Sequence, residues 1–185
     1  EHDAEQAAGY EGILRCWEEG CALLGPPYRP TLVSVHDPDE LLARATTPGE
    51  RQRAWRELLE AYRALDELKR RGEVSLVGAG AKDWTVLRSL ADAVPLDWVM
   101  LACSYTVLRH PPEVVRFVDR LGEAGVGVVN SAVFHGGFLT GGEHFDYRRV
   151  DPSSEEGRSL ADWRERFHAI CRAHGVEGPL AYPDP

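Results

Sequence analysis

An α/β fold built on a parallel sheet is what this sequence predicts, and two patterns predict it. Four short runs, Leu32 to Val35, Val74 to Gly78, Leu96 to Ala102 and Gly125 to Val129, are apolar without the regular polar alternation of a half-exposed strand. Strands buried on both faces read this way. Between them lie segments with apolar residues at helical spacing, the connection that parallel strands require. No low-complexity linker divides the 185 residues, so residues 1–185 read as a single domain with one core.

The elements follow in order. From Asp3 to Gly25, the residues Tyr10, Ile13, Leu14, Trp17, Cys21 and Leu24 recur on one helical face, and Gly25-Pro26-Pro27 ends the helix. In the first strand Leu32, Val33 and Val35 precede Pro38, which cannot donate to a ladder, so the strand delivers His36 and Asp37 at its end. Thr47-Pro48-Gly49-Glu50 combines a capping threonine, a proline at the first helical position and a glutamate at the third. Trp55, Leu58, Leu59, Tyr62, Leu65 and Leu68 form the buried stripe that follows, and Gly72 closes it. Lys69-Arg70-Arg71 falls in the last turn, where cations complement the helix dipole, and reads as a solvated helix end. Asp83 can cap a helix that buries Val86, Leu87 and Leu90. Pro111-Pro112-Glu113 opens another, with Val114, Val115, Phe117, Val118 and Leu121 inward. Asp151-Pro152 starts a last helix bearing Leu160, Trp163, Phe167 and Ile170.

Composition removes several functions. A formal net charge of −9 leaves no basic face to neutralise nucleic-acid phosphates. No apolar run approaches the roughly 20 residues that span a bilayer, and no signal peptide is visible; the cytoplasm is the expected compartment. Cys16, Cys21, Cys103 and Cys171 lack zinc-site spacing and are expected to be reduced and mostly buried. His2, His110, His144, His168 and His174 show no metal-like spacing, so solvated or capping roles are expected for most of them, and no metal is expected.

The strand ends are the informative part. His36-Asp37, Gly80-Ala81-Lys82-Asp83, Ser104-Tyr105, and Asn130-Ser131 followed by His135-Gly136-Gly137 all place polar or glycine-rich residues there. A doubly wound dinucleotide fold would show its glycine fingerprint at the first strand; Gly78-Ala79-Gly80-Ala81 comes nearest, with the wrong spacing. A site spread over many strand ends suits a barrel.

Three further groups of residues carry a family resemblance. They are Val35-His36-Asp37-Pro38-Asp39; Val77-Gly78-Ala79-Gly80-Ala81-Lys82-Asp83-Trp84; and Gly127-Val128-Val129-Asn130-Ser131-Ala132-Val133-Phe134-His135-Gly136-Gly137-Phe138-Leu139. With Leu96 to Ala102 and Tyr105 to Leu108 between them, this succession resembles the aldo-keto reductases from about Leu32 to Gly175, in the branch that holds aldose and pyridoxal dehydrogenases. The resemblance implies a (β/α)8 barrel moving a hydride between NAD or NADP and a carbonyl or sugar hydroxyl, with an aspartate, a tyrosine, a lysine and a histidine as the catalytic group. His36 matches the histidine at the fourth strand. The aspartate, tyrosine and lysine belong to the first three strands, which have no counterpart here. A barrel of this kind needs about 250 residues, and only strands like the fourth to seventh are found, about half of it. The chain therefore reads as a piece of a longer enzyme or a truncated reading frame, and little activity is expected of it alone.

By the same resemblance Gly80, Lys82, Ser131, Phe134, His135, Gly136 and Gly137 are the candidate cofactor residues, and Asp37 and Tyr105 the candidate substrate residues. Each has a plainer reading. Lys82 fits a surface lysine equally well, the glycines a simple turn, and His36 a hydrogen-bonded histidine at the core edge; Asp39 fits turn chemistry. Ala102 stands where many members have a glutamine, and Ser131 where many stack a tyrosine. Two other function classes stay open: a non-catalytic half barrel that pairs through open sheet edges with a partner or a second copy and binds at most a nucleotide, and a barrel hydrolase using a metal at His36 and Asp37, for which further histidine ligands are missing.

Overall fold

The computed structural model describes residues 8–176. Chain contacts gather into two compact units, Glu1–Tyr105 with Arg109–Ser131, and Thr106–Leu108 with Ala132–Pro185.

In the first unit a parallel sheet runs in the order β1 (Leu32–His36), β2 (Leu76–Ala81), β3 (Trp98–Ala102) and β4 (Gly127–Ser131). Helices α3 (Pro48–Arg70), α4 (Trp84–Ala93) and α5 (Pro112–Glu123) join successive strands. Side chains alternate across a strand, so Val35, Ala79 and Val99, which share a register row, pack on Leu58, Leu65, Leu87 and Phe117 of the helices in one core. The alternate rows face the other way. There Leu32 and Leu76, which pair with each other, remain 52% and 38% exposed, and Val129 is 41% exposed. One face of the sheet is thus covered by helices and the other is open.

Local chemistry fixes most boundaries. Thr47 and Glu50 form the capping box at the start of α3, the Glu50 amide donating to Thr47 Oγ1 (3.2 Å) and the Thr47 amide to Glu50 Oε2 (3.1 Å). Asp83 caps α4 by accepting from the Thr85 amide at 2.9 Å, and α5 begins at Pro112 as expected.

Four expectations shift. β2 begins at Leu76 and continues through Gly78, Gly80 and Ala81, so the small residues read as a strand end lie inside the strand. A Cβ on Gly78 would sit 2.2 Å from the Trp98 indole, and one on Gly80 3.3 Å from Met100 Cβ; larger residues would push β3 away. β4 starts two residues late because Gly125, at φ 74°, is taken up in ending α5. The short helix α2 (Pro38–Ala43) was not expected: Pro38 occupies its first turn, where a missing N–H costs nothing. The helix α1 covers Tyr10–Leu24; none of its residues is fully buried, and its apolar stripe packs at the margin of the core through half-buried Ile13, Leu14 and Trp17. Polar contacts add to this. Tyr10 donates to Glu67, while Trp17 Nε1 (2.9 Å) and Arg29 (2.7 Å) both reach Glu73. The expected start at Asp3, and His2, lie outside the described residues.

The second unit holds a short 3₁₀ turn, Phe138–Thr140, a hairpin of β5 (His144–Phe145) and β6 (Arg148–Arg149), and α6 (Glu155–Ala173). The hairpin was not foreseen, its strands being two residues long. Asp151-Pro152 does not start α6 as expected; Asp151 Oδ1 accepts from the Ser153 amide (2.9 Å) in a turn, and Ser154 caps the helix through the Gly157 amide (2.9 Å). The Arg164 guanidinium of α6 lies 4.4 Å from the centre of the buried Phe138 ring, whereas Ile170 on the same helix is 61% exposed. Among the four cysteines only Cys103 is buried, and Cys16 is exposed, against the expectation of mostly buried thiols.

Two predictions follow from the first unit. Gly78→Ala should cost about 1–3 kcal/mol by overpacking, and the penalty should largely vanish in a Trp98→Ala background; equal costs in a urea-melt double-mutant cycle would mean the indole is not the obstacle. The second concerns Asp97, which bonds Lys69 Nζ through both oxygens at 2.6 Å and accepts from the Val77 amide at 2.8 Å. Partial burial pushes this carboxyl up, but the Lys69 bond, the Val77 amide and the Lys69 charge outweigh it and hold it below the ordinary aspartate value. A depressed folded-state pKa contributes stability that is complete above the unfolded value of about 3.9 and is lost as pH falls through the folded one. Asp97→Asn should therefore be less stable by about 1–3 kcal/mol at neutral pH and lose less on acidification below about pH 4; superimposable pH profiles of the two proteins would remove Asp97 from the acid transition.

Candidate functional site

All strands of the sheet are parallel, so their C-terminal ends form one edge. His36 is the last residue of β1, Lys82 follows β2, Tyr105 lies three residues past β3, and Ser131 ends β4. The fold therefore brings the four residues to one end of the sheet, as their places in the sequence imply.

The His36 side chain is 95% exposed, with Nε2 3.4 Å from Asp37 Oδ2. The ring is exposed at the strand end, and its ionic contact is with the neighbouring Asp37. Asp37 holds a left-handed backbone (φ 41°) at the start of α2, and its carbonyl accepts from the Glu40 (3.0 Å) and Leu41 (3.3 Å) amides. This sharp reversal turns the chain away immediately after His36 and leaves the imidazole at the edge.

Asp39 corrects another reading. It is no mere turn residue: Oδ2 accepts from the amides of Lys82 (3.1 Å) and Asp83 (3.0 Å), which ties the end of β1 to the end of β2. Lys82 Nζ in turn reaches Glu40 Oε1 at 3.1 Å. The Glu40 hydrogen bond, reinforced by the charges of Glu40, Asp37 and Asp39, raises the Lys82 pKa above that of an ordinary lysine despite slight burial. Lys82 is a fixed cation at this edge. Sequence reasoning missed Asp39 and Glu40 because their partners lie more than 40 residues away.

Tyr105 is half-buried and packs against the core, and the Ser131 carbonyl accepts from the Cys103 amide at 3.2 Å. Gly80 is paired within the sheet, opposite His36 and Met100. Among the described residues no group of three or more His, Cys, Asp or Glu side chains is arranged to hold a metal ion.

The remaining candidates belong to the second unit. Phe134 is 43% exposed, and its ring is available to an apolar ligand surface. His135 is not available: it is fully buried, with Nδ1 2.7 Å from Asp146 Oδ1, Nε2 2.8 Å from Thr106 Oγ1, and its ring stacked on Phe145 at 4.4 Å. A carboxylate only accepts, so Nδ1 carries the proton, and in the neutral ring Nε2 accepts from the Thr106 hydroxyl. Both nitrogens are spoken for by protein, and the side chain has none left for a cofactor. Gly136 and Gly137 hold φ of 70° and 92°, which only glycine adopts freely. Gly136 also lies where a Cβ would be 3.6 Å from the backbone of His144 and Tyr147, and the Gly137 amide donates to the Phe134 carbonyl. Here the glycines serve the turn and its approach to the hairpin.

The comparisons with known proteins agree with this architecture. Residues 1–181 match the model of the aldo/keto reductase family. The chain is 30% identical to the pyridoxal 4-dehydrogenase of Microbacterium luteolum over 178 residues, covering 93% of this chain and 48% of that protein. It is 31% identical to a D-threo-aldose 1-dehydrogenase of Pseudomonas sp over 127 residues, 67% of this chain and 37% of that protein. This chain belongs to the aldo/keto reductase family. Its parallel sheet and covering helices are part of that family's barrel, and it spans about half the length of the curated relatives it matches. Among the described residues no helix is long and apolar enough to cross a membrane.

The two histidines invite a direct contrast. His36→Ala should alter stability by no more than about 0.5 kcal/mol. His135→Ala removes one partner each from Asp146 and Thr106 and opens a cavity beside Phe145, so it should cost at least about 2 kcal/mol. Urea melts of both variants test this, and equal costs would contradict the burial described here.

Proposed function

We propose that this chain is half of an NAD- or NADP-linked oxidoreductase acting on an aldose, an aldehyde or a related carbonyl or hydroxyl substrate, with the site at the C-terminal edge of the sheet and the protein at work in the cytoplasm. The observation that carries the reading is His36: an exposed imidazole with an adjacent carboxylate at a strand end, in a family of oxidoreductases.

The nicotinamide, when bound, supplies or accepts the hydride. The residues here fit such a cofactor in part. Ser131 and Lys82 offer polar groups at the sheet edge; taken by itself, the second unit offers the exposed Phe134 ring, and its buried His135 side chain contributes nothing directly. His36 orients the substrate oxygen by a hydrogen bond, with Asp37 beside it to bias the ring. The proton given to or taken from that oxygen requires a separate acid or base, and by resemblance this is a tyrosine tuned by a lysine and an aspartate on strands beyond this sequence. General acid help is worth roughly 10²- to 10⁴-fold, so the isolated chain should turn over little.

The open sheet face favours a second component of the reading. With Leu32, Leu76 and Val129 exposed and β1 and β4 at the sheet's two edges, the isolated chain should associate with itself or with a partner carrying complementary strands.

Purified chain and an eight-stranded polypeptide containing it should be compared by nicotinamide absorbance with panels of aldehydes and aldoses, alongside sedimentation of the short chain. The expected result is turnover only in the full barrel, a roughly 10²-fold lower kcat in its His36→Ala variant with cofactor Kd nearly unchanged, and an associated short chain. Robust turnover by the short chain, a full barrel indifferent to His36→Ala, or a monodisperse, cooperatively unfolding short chain would each overturn the corresponding part.

A further inference from the structure

Clefts open on the helix-covered side of the first unit, and charge separates three of them. One of about 450 Å³ is lined by Arg63, Lys69 and Arg70, but each cation is already paired, with Glu60 (2.6 Å), Asp97 (2.6 Å) and Asp66 (3.1 Å). A smaller one of about 240 Å³ mixes Arg44 and Arg53 with Glu50 and Glu57. Neither presents an uncompensated charge.

The third, of about 480 Å³, lies among α2, α3 and α4 and is different. Leu42, Pro48, Trp55 and Val86 give it apolar walls, and Arg51 is the only charged residue that lines it. Among the described residues the Arg51 guanidinium has no carboxylate partner, and no acidic side chain faces the cleft from any of the three helices. In a chain of net charge −9, a cleft with one cation and no anion is electrostatically set apart. The hydroxyls at its rim have spent their donors, Ser89 on the Thr85 carbonyl (2.9 Å) and Thr85 on Asp83 (2.6 Å), which leaves the Arg51 guanidinium, the Gln52 amide and the Trp55 indole N–H as the donors among the lining residues.

We propose that this cleft between α2, α3 and α4 binds a small aromatic monocarboxylate, its ring against Trp55, Leu42 and Val86 and its carboxylate on Arg51. The planar guanidinium matches a carboxylate with two parallel hydrogen bonds. The volume falls within the range of small-molecule sites, roughly 300–1,000 Å³. An apolar wall alone would take any hydrophobe; the unpaired Arg51 makes the choice of an anion.

Benzoate, with benzyl alcohol as its neutral counterpart, should be titrated into the full chain by calorimetry. Benzoate should saturate with a Kd of about 1 mM or tighter, and benzyl alcohol should bind at least about tenfold more weakly. Arg51→Gln should weaken benzoate by about tenfold. Ser89→Trp, on an exposed helix position, should fill the cleft and abolish binding, and Arg56→Gln, a nearby arginine outside the cleft, should change nothing; circular dichroism confirms that each variant folds. Failure of benzoate to saturate, equal affinity for benzyl alcohol, indifference to Arg51→Gln, or equal losses in Arg51→Gln and Arg56→Gln would each overturn the proposal.

Discussion

Gly78 is held between two aromatic side chains from opposite sides of the sheet. On the helix-covered side the buried Tyr62 hydroxyl donates to its carbonyl at 3.2 Å; on the open side the Trp98 indole lies where any Cβ would be. This one position thereby joins α3, β2 and β3. It sets how closely the central strands approach, and so the spacing of the strand ends that carry His36, Lys82 and Ser131. Burial raises the pKa of Tyr62 well above an ordinary tyrosine, so the hydroxyl stays protonated and remains a donor.

The two ends of the sheet are secured by different physics. At the N-terminal end the Lys69–Asp97 pair joins the end of α3 to the start of β3, and Asp97 also accepts from the amide of Val77, the second residue of β2. At the C-terminal end Asp39 gathers the Lys82 and Asp83 amides. Each is one carboxylate accepting from backbone and keeping two strands in register. Between them, the edge that bears His36 is rigid in its backbone and open in its side chain, which is what orienting a substrate requires.

The second unit is organised around a side chain the sequence presents as a ligand. His135 joins Thr106 to the hairpin residues Phe145 and Asp146, two segments separated in sequence, and its neighbours Gly136 and Gly137 supply the left-handed turns that make the junction possible. A histidine beside two glycines is a common signature of a ligand loop, and the same signature is produced by a tightly folded turn. Burial of the ring and saturation of both nitrogens take the imidazole, and not the glycine backbone, out of the ligand reading.

What the sequence determined by itself is local. The capping box at Thr47 and Glu50, the Asp83 cap, the strand and helix alternation, and the delivery of His36 to a strand end all depend on residues within a few positions of one another, where backbone sterics and hydrogen bonding act directly. The family, too, was legible in the order of the motifs from Val35 to Leu139. The tertiary structure alone decided the rest: that β2 runs on through Gly80, where a Cβ would press on Met100, that Asp39 is a tether, that the apolar stripe of α1 stays at the margin of the core, and that His135 faces inward. In each case the deciding partner is a side chain or amide brought close by folding, tens of residues away for Asp39 and His135, and no local pattern encodes the distance between two residues that only the packed chain makes neighbours.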